Sequence, residues 1–311
     1  MGNAARTQTR AQTRAQTRAQ TRAQTRAQAG SARQKLVARR AVQRRAAVRR
    51  RLLLTAGAVT LVLTLAVVLI VVKVTAPGAP AGAPAAQTSQ RIATEVTGVP
   101  AATFDTVGAG TATGLKAISG APELTSGGKP EVLYMGGEYC PFCAAERWAL
   151  AAALSRFGIL SGLSFIHSSP TDGYVPTLSF YKSGYSSKYL AFAPVEWFGE
   201  AIDPSTPFQH VYLQQPTTQE AALFARYANG SLPFVDIGNR YLVPQAQYLP
   251  TDIEGLSWAQ IAAAMRDPSS RVARDIDGAA NALTAAMCVL AHGQPGGVCT
   301  SAGVKAAAGS L

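Results

Sequence analysis

The chain has 311 residues, with 29 Lys+Arg against 17 Asp+Glu, a formal net charge of +12, 48% apolar residues and four cysteines. That apolar fraction can build a core in one or two domains, which excludes a wholly disordered chain and a disulfide-dense mini-protein. The charge is local: residues 1–51 hold 15 basic and no acidic side chains, whereas residues 75–311 hold 13 basic and 17 acidic ones. The basicity therefore belongs to a tail, and no specific nucleic acid is expected as a partner.

Within that tail Thr-Arg-Ala-Gln recurs with period four from about residue 7 to residue 28. In a helix this spacing gives a self-repelling arginine stripe, and Thr in every turn weakens the helix. Residues 1–51 are expected to be a disordered cytoplasmic tail attracted to anionic lipid. The start Met1-Gly2-Asn3-Ala4-Ala5-Arg6 lacks the Ser or Thr at position 6 that myristoylation needs.

Leu52 to Val72 is uncharged and rich in Leu, Val, Ala and Thr. As a helix it would be ~31 Å long, about one bilayer core, so residues 52–74 are expected to be a single transmembrane helix. Arg39, Arg40, Arg44, Arg45, Arg49, Arg50 and Arg51 crowd one flank against Lys73 on the other. The positive-inside rule then puts the N-terminus in the cytoplasm and the C-terminal domain outside, at the cell membrane. A cleaved signal peptide is the rival reading, but the apolar run is long for a signal core. Arg49-Arg50-Arg51-Leu52-Leu53 matches a twin-arginine signal only weakly. Residues 75–90, with Pro77, Pro80 and Pro84, read as a spacer, and residues 91–311 as the globular domain.

Glu131 to Met135 reads as a buried strand, followed by Gly136-Gly137 and a helix from Pro141 to Phe157. Leu163 to His167 reads as the next strand. That order makes the fold class α/β. Ser168 to Pro207 is rich in Tyr, Phe, Ser and Pro and reads as a β-rich insertion with strand-like runs at Thr177–Tyr181 and Tyr189–Phe192. A helix over Thr218–Tyr227 is followed by two short apolar runs around Gly238-Asn239, which signals a hairpin. Two helices, Ser257–Arg266 and one from Ser270 to near Gly293, form a C-terminal helical extension.

Cys140-Pro141-Phe142-Cys143 lies at the strand-to-helix junction. Unpaired N–H groups and the partial positive charge at a helix start stabilise a thiolate at Cys140 and lower its pKa. Pro141 suits the first helical position. Cys143 shares a seven, four, three spacing with Leu150, Leu154 and Phe157 and so faces the core. The geometry assigns Cys140 as exposed nucleophile and Cys143 as buried resolving thiol. The competing readings are half of a zinc site, an inert bridge, or a copper site completed by His167. Cys288 and Cys299 are too far apart in sequence to supply a second zinc knuckle.

The strand, the Cys-Pro-Phe-Cys helix start and Leu232-Pro233 before a hairpin and final helix resemble the thioredoxin superfamily over residues 130–267. The resemblance implies that Pro233 is a cis-proline facing the dithiol and helping to bind substrate backbone. The fuller string from Tyr134 to Trp148 looks like a membrane-anchored, thioredoxin-like family of unknown function. Two features depart from the superfamily's pattern. Tyr134 stands six residues before Cys140, where a buried acid is common, with Glu138 or Glu146 as substitutes, although each reads first as a solvated carboxylate. Pro-Phe between the cysteines differs from the Gly-Pro of reducing thioredoxins, which leaves redox direction open.

Cys288 and Cys299 are expected to form a structural disulfide in an extracytoplasmic setting, with a second redox pair as the alternative. His167, His210 and His292 lack metal-cluster spacing, and Asn229-Gly230-Ser231 reads as a turn before it reads as a glycosylation sequon. Tyr181, Tyr185, Tyr189, Phe192, Trp197 and Phe198 either line a peptide groove or pack a core. No cofactor motif is found, and no cofactor is expected. The function expected is a membrane-anchored thiol-disulfide oxidoreductase, with Cys140, Cys143 and Pro233 as its site. Its partners are protein thiols or disulfides, the lipid bilayer and a membrane redox partner. The alternatives are a copper-binding or assembly factor and a catalytically silent scaffold.

Overall fold

The computed structural model describes residues 85–206, 209–309 and 311. The tail, the expected membrane span and residues 75–84 of the expected spacer lie outside them. Among the described residues no helix is long and apolar enough to cross a membrane. The end of the expected spacer is helical: α1 runs Ala85–Thr97, and α2, Ala101–Val107, follows.

Two short edge strands, β1 (Lys116–Ala117) and β2 (Thr125–Ser126), precede the long β3 (Lys129–Gly137). From Val132 to Gly137 every residue of β3 is buried. An unbroken apolar strand of this kind must be covered on both faces, and it is. Val132 and Tyr134 join the larger core, while Leu133 and Met135 join a smaller one on the opposite face. The helix after it, α3 (Pro141–Ser155), lies on the larger core with thirteen of its residues buried.

The strand that completes the β3-α3 unit is β8, Ala191–Ile202, parallel to β3 with Met135 opposite Val195. The expected partner, Leu163–His167, is not that strand. Ser164–His167 (β5) pairs with Pro176–Ser179 (β6), and outside them Gly158–Ser161 (β4) pairs with Gly184–Ser187 (β7). These nested pairs form the excursion, so the expected insertion over residues 168–207 is displaced and its second half supplies a central strand. Proline cannot donate to a ladder, so a strand through Pro194 needs an unpaired neighbour at that point. Pro194 sits where β9 (His210–Tyr212), on the far side of β8, does not reach: β9 pairs only at Phe198 and Ile202. The Gln214 amide fills the gap, accepting from Glu196 N at 2.7 Å and donating to Pro194 O at 3.4 Å.

On the other side of β3 lies β10 (Phe234–Ile237), antiparallel, and then β11 (Tyr241–Val243) and β1. The order is β1-β11-β10-β3-β8-β9, with β2 against the start of β3. Gly238 and Asn239 turn the β10-β11 hairpin with φ of 64° and 56°, the left-handed region Gly and Asn tolerate. Helix α4 (Thr218–Tyr227), opened by a Thr217/Glu220 capping box, brings Leu223, Phe224 and Tyr227 to the smaller core.

After a 3-10 turn at Pro250–Asp252, α5 (Trp258–Ala264) and α6 (Arg271–Leu290) return to the α3 face. Ser257 and Ser270 cap them through the Gln260 and Ala273 amides, close to the starts read from sequence. Ile276, Ala280, Leu283, Met287 and Leu290 put the apolar stripe of α6 into the larger core, each large side chain contributing ~1.5–3 kcal/mol. Two short helices, α7 (Gly296–Cys299) and α8 (Ala302–Ala308), end the chain.

Candidate functional site

The end of β3 and the start of α3 present the dithiol. Cys140 is the N-cap of α3, in extended backbone, with Pro141 in the first turn. Its Sγ accepts the Cys143 backbone N–H at 3.3 Å and lies 3.9 Å from the Leu232 carbonyl oxygen. The Leu232-Pro233 peptide bond is cis, and Leu232 O brings that loop onto Cys140. Both cysteines are free thiols. Cys140 is 7% exposed and Cys143 0%. The expected exposed nucleophile is therefore recessed, because the 232–233 loop covers Sγ. The residue that projects outward is Phe142, 45% exposed.

The two thiols are driven apart. The Cys143 thiol donating to Cys140 lowers the Cys140 pKa most; the Cys143 and Phe142 backbone amides and the Arg147 charge add to it, and the sum reaches about 7 against burial. Burial pushes the Cys143 thiol well above its ordinary range, with the hydrogen bond to Cys140 acting in the same sense. A group ionised near neutral pH beside one held protonated is an acid-base pair ready for thiol exchange.

Behind the cysteines lies an ion pair with no exposure. Arg147 donates from Nε and Nη2 to the two Glu196 oxygens at 2.9 and 2.8 Å, and from Nη2 to Gly137 O at 2.8 Å. Glu196 also accepts from Phe180 N at 3.1 Å. The Arg147 guanidinium stands 5.8 Å from the Tyr134 ring centre, and the buried Tyr134 hydroxyl has no hydrogen-bond partner. Sequence reading missed this pair. Arg147 had a signal, since it stands four residues after Cys143 and three before Leu150, on the core-facing stripe of α3. Glu196 had none.

Neither candidate acid is a surface carboxylate. Glu138 is half-buried and accepts from Ser179 Oγ at 2.6 Å, and its pKa is raised by burial. Glu146 is fully buried, accepts from Gln247 N at 3.0 Å through one oxygen, has no partner for the other, and is pushed up to about 8 by desolvation. For Glu146 the cause is the covering of α3, with the sheet on one side and α6 and the 245–249 loop on the other, which leaves only Phe142 at its start exposed. Glu138 precedes α3 and is drawn in by Ser179.

Cys288 and Cys299 are joined by a disulfide that ties the end of α6 to α7. His167 stacks on Tyr174 at 4.1 Å and against Trp258, while His210 stacks on Tyr139 at 3.8 Å and bonds Glu200 O through Nδ1. Among the described residues no three His, Cys, Asp or Glu side chains gather as metal ligands, so Cys140, Cys143 and His167 are not assembled into the copper set. The expected aromatic groove is mostly packing. Phe192 lies edge-on to Phe180 and Tyr185, Tyr185 Oη donates to Leu154 O, and Trp197 packs on Phe198 and Phe224. Phe198 alone approaches the site, through Tyr139 and the bond from Glu138 N to its carbonyl. Asn229 and Gly230 form a turn with positive φ.

Fold and site together define a mixed α/β domain that carries a vicinal dithiol at a helix N-terminus. Its sequence from 117 to 289 matches the model of a family described as a domain of unknown function, DUF929, and the chain belongs to that family. No curated protein and no solved structure matches it significantly.

Proposed function

We propose that the chain is a thioredoxin-like, membrane-anchored thiol-disulfide oxidoreductase that acts on protein thiols outside the cytoplasm. The observation that carries the proposal is the polarised pair: Cys140 at the helix N-cap, titrating near neutrality, with Cys143 one turn behind it and held protonated. The strand order β11-β10-β3-β8, with β8 parallel and β10 antiparallel to β3, supports a thioredoxin-like reading, as does the Leu232-Pro233 loop facing Cys140.

In the reducing direction, the Cys140 thiolate attacks one sulfur of a substrate disulfide. A Cys140–substrate bond forms, the substrate S–S bond breaks, and the departing thiolate takes up a proton. Cys143 loses its proton to solvent or to the leaving group and attacks Cys140 Sγ. The second substrate thiol is released and a Cys140–Cys143 disulfide remains, so two electrons have moved from the protein to the substrate. The oxidising direction is the reverse.

With Cys143→Ser in the full chain, the resolving step is blocked and Cys140 accumulates substrate proteins as mixed disulfides that dithiothreitol releases. Absence of any trapped species, together with no insulin reduction and no thiol oxidation by the unaltered protein, overturns the proposal.

A further inference from the structure

Beside the dithiol lies a cleft of about 230 Å³. Its floor is apolar and buried, made by Val175 and Pro250 with Pro141. Phe142 and Leu249 also line it and are 45% and 59% exposed. Large exposed apolar side chains lining one surface cleft present area that a bound group would take out of water. The volume is below the ~300–1,000 Å³ of small-molecule sites, so it suits one or two amino-acid side chains rather than a cofactor.

The charged groups of the cleft all carry one sign. Asp172 and Glu254 are exposed at its rim, no lysine or arginine lines it, and neither carboxylate has an ion-pair or hydrogen-bond partner among the described residues. The loop bearing Asp172 is held in place against the dithiol, because Ser169 N donates to Tyr139 O at 2.8 Å, one residue before Cys140.

We propose that this cleft docks the substrate polypeptide: it receives an apolar side chain, with Phe142 and Leu249 closing around it, while Asp172 and Glu254 pair with a Lys or Arg next to it. The substrate class is thus a protein whose reactive cysteine lies close to an apolar-basic pair. The proposal rests on the redox reading of Cys140 and Cys143 and adds a selectivity that the dithiol alone does not confer.

The test uses the reduced full chain and four disulfide probes. Three are short peptides dimerised through a single cysteine that is followed by Phe-Lys, Phe-Glu or Ser-Lys; the fourth is dithiodipyridine, which carries no charge and no peptide chain and reports the reactivity of the thiol itself. The expected result is that the Phe-Lys peptide reacts faster than the Ser-Lys peptide by roughly tenfold, the gain from burying one aromatic side chain. It also outpaces the Phe-Glu peptide by roughly two- to tenfold, the gain from exposed charge pairs. Asp172→Asn with Glu254→Gln removes the advantage over Phe-Glu and leaves the dithiodipyridine rate unchanged; both residues are exposed, so folding is not at stake. Equal rates for all three peptides, with dithiodipyridine still reactive, overturn the docking proposal and leave the dithiol reading standing. Failure of all four probes to react overturns both.

Discussion

Arg147 and Glu196 offer the sharpest perturbation of the site's support. Both side chains have zero exposure and share two hydrogen bonds of 2.8–2.9 Å, so each is the other's main compensation for lost water. Arg147→Met leaves the Glu196 carboxylate with the Phe180 amide as its remaining hydrogen bond, and Glu196→Gln leaves a buried guanidinium without a counter-charge. Each single change is expected to cost ~3–5 kcal/mol, a large share of the ~5–15 kcal/mol that holds a domain folded. The pair replaced together, Arg147→Met with Glu196→Met, is expected to fall within ~1–2 kcal/mol of the parent, because no charge is then left buried alone. Urea unfolding followed by tryptophan fluorescence reads this directly, since Trp148 neighbours Arg147 and is itself fully buried. The same Arg147→Met variant has a chemical readout. The Cys143 thiol and the backbone amides still hold the Cys140 pKa down, but the loss of the Arg147 charge raises it. Single-variant losses below ~1 kcal/mol, or a double variant that merely adds the two single losses, would refute the reasoning.

Three further outcomes follow from the same structure. Glu146 has a folded pKa raised to about 8, so its proton is held more tightly in the native protein than in the unfolded chain. Stability is therefore complete at acid pH and falls as pH climbs from the ordinary carboxylate range to about 8; Glu146→Gln should flatten that fall in urea midpoints measured from pH 5 to pH 9. Cys288→Ala with Cys299→Ala opens a short loop, of sequence separation 11, and should lower stability by ~3 kcal/mol in calorimetry, while leaving Cys140 alkylation unchanged. A Cβ at Gly136 would fall on the Tyr134 hydroxyl, which has no partner to lose. Gly136→Ala should destabilise, Tyr134→Phe alone should be neutral or mildly stabilising, and the two together should recover part of the loss in thermal melts.

Much of this architecture was legible because local signals and burial agreed. The apolar run at 131–135, the proline and cysteines that open α3, the Gly-Asn turn and the caps at Ser257 and Ser270 each dictate one local outcome, and the structure adopts it. Strand β8 was hidden because Pro194 reads as a breaker unless one knows that β9 stops short of it, and β5 looked central because its own small partner, β6, lies beyond a turn. Buried charge was the other blind spot. Glu146 and Glu196 read as surface residues by type; the tertiary covering of α3 on both sides puts Glu146 and Arg147 inside, and the place of β8 beside β3 puts Glu196 there. The pattern at Cys140 and Cys143 was plain in sequence, whereas the recess created by the 232–233 loop needed the fold.

The most direct measurement is the pH dependence of alkylation of the reduced protein by iodoacetamide, with the modified cysteine identified by mass. The account predicts that Cys140 reacts first, with a midpoint near pH 7, and that Cys143 stays unmodified until the protein unfolds. A midpoint at the ~8.5 of an ordinary thiol, or Cys143 reacting ahead of Cys140, would contradict it.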